Sequence, residues 1–228
     1  MRVALAFSTK DRVELTEQTI KPVIGHPDFD FFWVDGSTTA AGKEMLYRAW
    51  NAPHGVKMIT REGIRGGADA AIVFALTQML KNPSYTHVGL LENDVLLSPD
   101  WFERTMQLFE AGRSDGLEVG AVTARTYEDR ILIQRDTYAV LHNAGAGHVI
   151  FTRKAAELVL EFFRTGWWPD NRRIFSQLSG LDIGHWGAFR TYDTPLTADW
   201  HFDTILAAHG LATLGLTPSA ADMIGQET

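Results

Sequence analysis

The sequence predicts an α/β fold: a three-layer α/β/α sandwich around a mostly parallel central sheet. Three observations predict it. Short apolar runs alternate with helix-periodic segments at least three times before residue 125. Three polar clusters, at 8–12, 35–38 and 92–94, each follow such a run. That is the carboxyl edge, where open α/β sheets bind ligands. Finally, 228 residues that are 45% hydrophobic and 21% charged suffice for one sizeable core.

The elements follow in order. Residues 3–7 (VALAF) read as a buried first strand that breaks into a polar loop at 8–12. Residues 13–24 read as a helix ending near Gly25 and Pro27. Residues 29–34 form a second apolar run, stopped by Asp35-Gly36-Ser37-Thr38. A short helix covers 41–50, a third strand 56–60 and a glycine-containing polar loop 61–67. Ile72, Leu76, Met79 and Leu80 recur at helical spacing over 68–81. A strand over 87–97 comes next. Ser98 as N-cap and Pro99 as first helical residue then predict a helix over 99–111.

The second half is less regular. Residues 119–124 read as a strand, 125–144 as a loop or hairpin, 145–152 as a strand and 153–164 as a helix. Residues 165–198 are rich in aromatics, Gly and Pro and have little periodicity, the mark of a functional loop region. A helix over 199–210 and a strand over 211–216 close the pattern. One domain, 1–228, without repeats or low-complexity linkers, is the expectation.

Composition excludes some functions. A net charge of −7 argues against a broad nucleic-acid surface. The absence of cysteine removes disulfides and thiolate metal sites. No apolar run approaches the ~20 residues of a membrane span. The chain enters its first strand without a charged n-region or cleavage site, so no signal peptide is expected and the cytoplasm is the default location.

The stretch 87–102 (HVGLLENDVLLSPDWF) is the most informative. Glu92-Asn93-Asp94 places two carboxylates where a buried strand ends. Unpaired buried carboxylates are costly, so such a strand delivers acid to a cleft. Oxygen donors of this kind suit Mg²⁺ or Mn²⁺. An acidic turn at a strand end is the plain alternative. His201 is a further candidate metal ligand and His148 a candidate acceptor contact, although a histidine among apolar neighbours often only packs. Trp168, of the Trp167-Trp168 pair, and Trp186 offer faces for stacking a sugar.

The order of these motifs resembles the GT-A class of nucleotide-sugar glycosyltransferases in their single-domain, family-two style. The loop Ser8-Thr9-Lys10-Asp11-Arg12 resembles that family's opening motif beside the nucleotide, which implies donor contacts at Thr9 and Arg12. The stretch Val34-Asp35-Gly36-Ser37-Thr38 is similar to its base-contacting turn, with one residue fewer between Asp and Gly. The loop Gly63 to Asp69 is similar to its diphosphate loop, with Arg65 in place of the usual Asn chemistry. Glu92-Asn93-Asp94 occupies the place of the metal motif, with Glu as its first acid. Asp94 is then the firmer ligand, and Asn93 joins the donor contacts.

Residues 142–152 resemble the acceptor-side strand, and Asp199 stands 11 residues before Gly210, as does the family's catalytic base. Ala198 replaces the Glu that precedes that base, and the usual arginine of the helix is missing. Asp199 also suits a plain N-cap, and Asp203 is the competing carboxylate.

The resemblance implies a nucleotide-sugar-binding half at 1–125 and an acceptor-binding half at 126–228. It implies metal-dependent, inverting transfer from a nucleotide-diphosphate sugar to a glycan, lipid-linked or small-molecule acceptor. A modified DNA base is disfavoured by the acidic charge. Two alternatives stay open. A nucleotidyltransferase is one, against which the absence of glycine in 8–12 counts. A non-catalytic sugar- or nucleotide-binding module is the other.

Overall fold

A computed structural model of the chain describes residues 1–50, 56–60, 67–145, 147–165 and 202–224. Its centre is a nine-stranded sheet in the order β3-β2-β1-β4-β9-β6-β10-β8-β7. The first strands are β1 (Val3–Thr9), β2 (Phe29–Asp35), β3 (Lys57–Thr60) and β4 (His87–Glu92), all parallel. Then come β6 (Val119–Thr123), β7 (Ile131–Gln134), β8 (Tyr138–Leu141), β9 (His148–Thr152) and β10 (Ala212–Leu216). Only β9 and β8 run against the others. The sheet therefore joins both halves of the chain.

Helices cover both faces. On one side lie α1 (Val13–Ile20), α2 (Ala40–Trp50) and α4 (Trp101–Ser114). On the other lie α3 (Gly67–Leu80), α5 (Arg153–Thr165) and α6 (Phe202–Ala208). Strand β1 shows why the sandwich forms. Ala4 and Ala6 point into one core, and Val3, Leu5 and Phe7 into the other. Helix α3 buries Ala71, Ile72, Ala75, Leu76 and Met79 at the predicted spacing.

The structure corrects two details. The expected strand 87–97 is two strands: β4 stops at Glu92, and β5 (Val95–Leu97) pairs outside the main sheet with β11 (Ala221–Met223). The break has a cause. Helix α1 catches the turn, Asn93 Nδ2 donating to Thr16 Oγ1 at 3.0 Å and the Val95 amide to Thr19 Oγ1 at 3.2 Å. Second, α4 begins at Trp101, so Ser98 is not its N-cap. The Ser98 hydroxyl is held by Asp100 Oδ1 at 2.6 Å instead. The loop or hairpin expected over 125–144 is a 3-10 turn at Glu128–Arg130 followed by the β7–β8 hairpin.

Candidate functional site

The carboxyl ends of β1, β2 and β4 come together as the polar clusters predict. Register places Thr9 beside Asp35, and Ser8 beside Glu92. Asp35, only 6% exposed, is held by two hydroxyls on one oxygen: Thr9 Oγ1 at 2.7 Å and Ser37 Oγ at 2.6 Å. Thr9 Oγ1 in turn accepts the Trp33 indole N–H at 2.7 Å. The row Trp33–Thr9–Asp35–Ser37 fixes the carboxylate in one orientation. Helix α2 presses on it from outside. A Cβ at Gly42 would stand 2.6 Å from the Ser37 Cβ, so only glycine permits that approach. The cavity among Thr9, Arg12, Asp35, Ser37 and Met45 is about 10 Å³, room for roughly one water.

Asp11 was not among the expected site residues, yet it organises this edge. It sits at φ 59°, a left-handed conformation that Asp tolerates. Its carboxylate accepts the Thr38 and Thr39 amides at 2.8 Å each, and both threonine hydroxyls, at the start of α2. The Thr39 amide foremost, with the other Thr38 and Thr39 donors, holds its carboxyl well below the usual range. Nothing local in the sequence marks this role, because the partners lie 27 and 28 residues away.

Asp94 faces Arg12. Its Oδ2 accepts Arg12 Nη1 at 2.8 Å, with Asp94 13% and Arg12 56% exposed. The other oxygen, Oδ1, is buried and has no partner among the described residues. An acceptor-only atom in that position fits a cation. No group of three acid or histidine ligands converges among the described residues. Mg²⁺ nevertheless is commonly held by one or two carboxylates together with substrate phosphates. Glu92, half-buried one strand position before the turn, is the neighbouring acid, and its amide donates to the Gly147 carbonyl at 2.9 Å. Asn93 faces α1 rather than the cleft; it is 7% exposed.

His148 lies inside the sandwich, 3% exposed, below the sheet on the α4 side. Its Nδ1 accepts the Ala124 amide at 3.0 Å, so the neutral ring carries its proton on Nε2. The ring meets Trp101 edge-on at 4.8 Å. Burial pushes its pKa down to about 3. The fold gives this side chain a packing position, without a surface for an acceptor.

Asp203, on α6, is 5% exposed; its Oδ2 accepts the Ala144 amide at 2.9 Å and burial raises its pKa. It thereby ties α6 to the glycine-bearing loop before β9. Arg65, Trp168, Trp186, Asp199 and His201 lie outside the described residues.

Comparison with known proteins adds one result. No protein-family model and no curated protein matches the chain. Solved structures do. The fold is shared with S. aureus TarS. The TarS 1-349 structure in complex with UDP-GlcNAc matches with a TM-score of 0.56 at 11% identity, over 93% of this chain and 56% of that one. A longer TarS structure gives 0.57 at 12% identity, over 94% and 35%. Mannosyltransferase PcManGT from Pyrobaculum calidifontis, in complex with GDP-Man and Mn²⁺, aligns at 0.48 with 15% identity, over 68% and 46%. The chain thus spans about half or less of the length of these structures. At such identity the likeness establishes the α/β fold and no more. No helix among the described residues is long and apolar enough to cross a membrane.

Proposed function

We propose that this chain transfers a sugar from a nucleotide-diphosphate sugar to an acceptor hydroxyl. One observation carries the reading: Asp35 ends β2 and Asp94 lies in the turn just after β4, the two strands that pair with β1 on either side, and one buried Asp94 oxygen is left as an acceptor. A fold shared with a protein solved in complex with UDP-GlcNAc supports it.

The roles divide as follows. Asp35, oriented by Thr9 and Ser37, accepts from the nucleotide base once the roughly 10 Å³ cavity beside it widens. Arg12, more than half exposed, exchanges Asp94 for the diphosphate. Arg65, two positions before α3 in the sequence, adds positive charge toward the diphosphate. Asp94 and Glu92, with His201, hold a Mn²⁺ or Mg²⁺ ion, which when bound supplies positive charge for the departing diphosphate. Asp199 takes the acceptor proton, giving inversion. Trp168 and Trp186 stack the acceptor sugar.

The test is thermal stability against nucleoside diphosphates and their sugars, with and without Mn²⁺. A metal-dependent rise with one nucleotide, lost in Asp94→Ala, is expected. No rise with any of them overturns the reading.

A further inference from the structure

A second polar assembly stands at the same edge of the sheet, built from residues other than those assigned above to the donor. Strand β6 runs parallel to β10 and, across β9, in the same direction as β4, so Arg125 leaves the sheet on the side of Asp94. The guanidinium carbons of Arg125 and Arg130 lie 4.2 and 4.1 Å from the centre of the Tyr127 ring. One ring face cannot hold two guanidinium groups that close, so the two cations flank the tyrosine. Stacking on an aromatic face offsets part of their mutual repulsion.

Each arginine is held from behind. Arg130 Nη1 donates to Asn143 Oδ1 at 2.7 Å and lies against the glycine loop, where a Cβ at Gly145 would meet it at 3.2 Å. Arg125 Nη1 is 3.4 Å from Asp222 Oδ1, on a side chain that is 78% exposed. That nitrogen is nevertheless buried and makes no hydrogen bond among the described residues. A buried guanidinium donor paired only through a long ion pair to an exposed carboxylate, with no hydrogen bond, keeps capacity for a better-placed oxygen. Glu128 and Asp129, in the same turn, are exposed.

We propose that Arg125 and Arg130, braced by Tyr127, form a binding site for an oxyanion, a phosphate ester or a carboxylate, carried by the acceptor. That the ligand is the acceptor rests on the transferase reading; that it is an anion does not.

The test follows arginine Nε–H signals by NMR while inorganic phosphate, and separately glucuronate, is added at constant ionic strength. The Arg125 and Arg130 signals, assigned from Arg125→Gln and Arg130→Gln, should move together on one saturable curve. The ligand with the tighter curve identifies the oxyanion class. Arg125→Gln should weaken binding about tenfold, the size expected for a lost charge-assisted contact. Asp222→Asn should tighten it, because a competing carboxylate is removed, whereas a merely structural Arg125–Asp222 pair predicts no gain. Absence of saturation with both anions, an unchanged curve in Arg125→Gln, or weaker binding in Asp222→Asn each overturns the proposal. The Arg12 signal reports the donor edge separately. An anion site that persists while nucleotides fail to stabilise the protein would leave this site standing and remove the transferase reading.

Discussion

Asp35, at the end of β2, and Asp203, in the first turn of α6, are carboxylates of nearly equal burial, 6% and 5% exposed. Their surroundings differ. Asp35 receives two hydroxyls from its own and the adjoining strand end. Asp203 receives the Ala144 amide on one oxygen; the Thr213 hydroxyl also favours its charged form, although Oδ1 makes no well-aligned hydrogen bond among the described residues, and burial outweighs both. The contrast extends beyond the pair. Among described residues before Trp101, Asp94 Oδ1 is the buried side-chain polar atom without a partner, while Asn143, Thr204 and Thr213 on the other side all contribute one. A self-satisfied edge is preorganised, so its single exception is informative. The β6–β10 side holds its polar groups at a cost that burial imposes.

The sharpest way to break this contrast is to remove the exception. Asp94→Asn should lower turnover with a nucleotide sugar on the order of 10³-fold, as loss of a charge-stabilising group does. Its effect on melting should be small, because the Arg12 partner is 56% exposed. Turnover within tenfold of wild type would mean that Asp94 serves Arg12 and nothing else.

Gly42→Ala probes the fixed edge next. Ser37 would have to yield to a Cβ at 2.6 Å and lose its place on Asp35. A loss of about 1–3 kcal/mol in urea unfolding is expected, typical of overpacking. An unchanged midpoint would show that the edge is less rigid than its hydrogen bonds imply.

His148 gives a pH signature from the interior. Its folded pKa, about 3, lies below the ordinary value of 6.5, so the unfolded chain takes up the proton first as pH falls. Stability is therefore complete above about 6.5 and erodes towards 3, reaching a loss of about 2 kcal/mol at pH 5. His148→Gln should shallow that slope. It should not remove it, because His87, lowered to about 4 mainly by burial, titrates in the same range. An unchanged slope would mean that His148 is already charged in the fold.

How much of this was legible in the sequence follows the same division. The ends of β1, β2 and β4 could be read because apolar runs and polar clusters alternate locally. The α3 stripe was readable for the same reason. Asp11 was not, because a left-handed loop residue reaching another helix leaves no local pattern. Strand β11 has three residues and no alternation to detect, so the exit of β5 from the sheet was hidden with it. His148 stood out as a polar residue in an apolar run, but only its bond to the Ala124 amide reveals which way it faces. Asp203 was visible only as a rival to Asp199, since the amide it holds lies 59 positions away.

The smallest expected effect is also the most specific for the comparison. Burial raises the Asp203 pKa, so the folded chain keeps this proton after the unfolded chain has released it. Stability then falls as pH rises from the ordinary carboxylate value of about 3.9 to the raised one. Asp203→Asn keeps an oxygen for the Ala144 amide and removes the ionisation. It should match or fall slightly below wild type at pH 3 and be the more stable of the two at pH 7. Asp203→Ala leaves that amide unpaired and should lose about 1–3 kcal/mol relative to the Asn variant at both pH values. Asp35→Asn, by contrast, makes the one oxygen that both Thr9 and Ser37 use a weaker, uncharged acceptor, or puts an amide donor in its place, and should lose stability at pH 7. Were the two Asn variants to move in the same direction at pH 7, the difference between the satisfied and the costly carboxylate would be wrong.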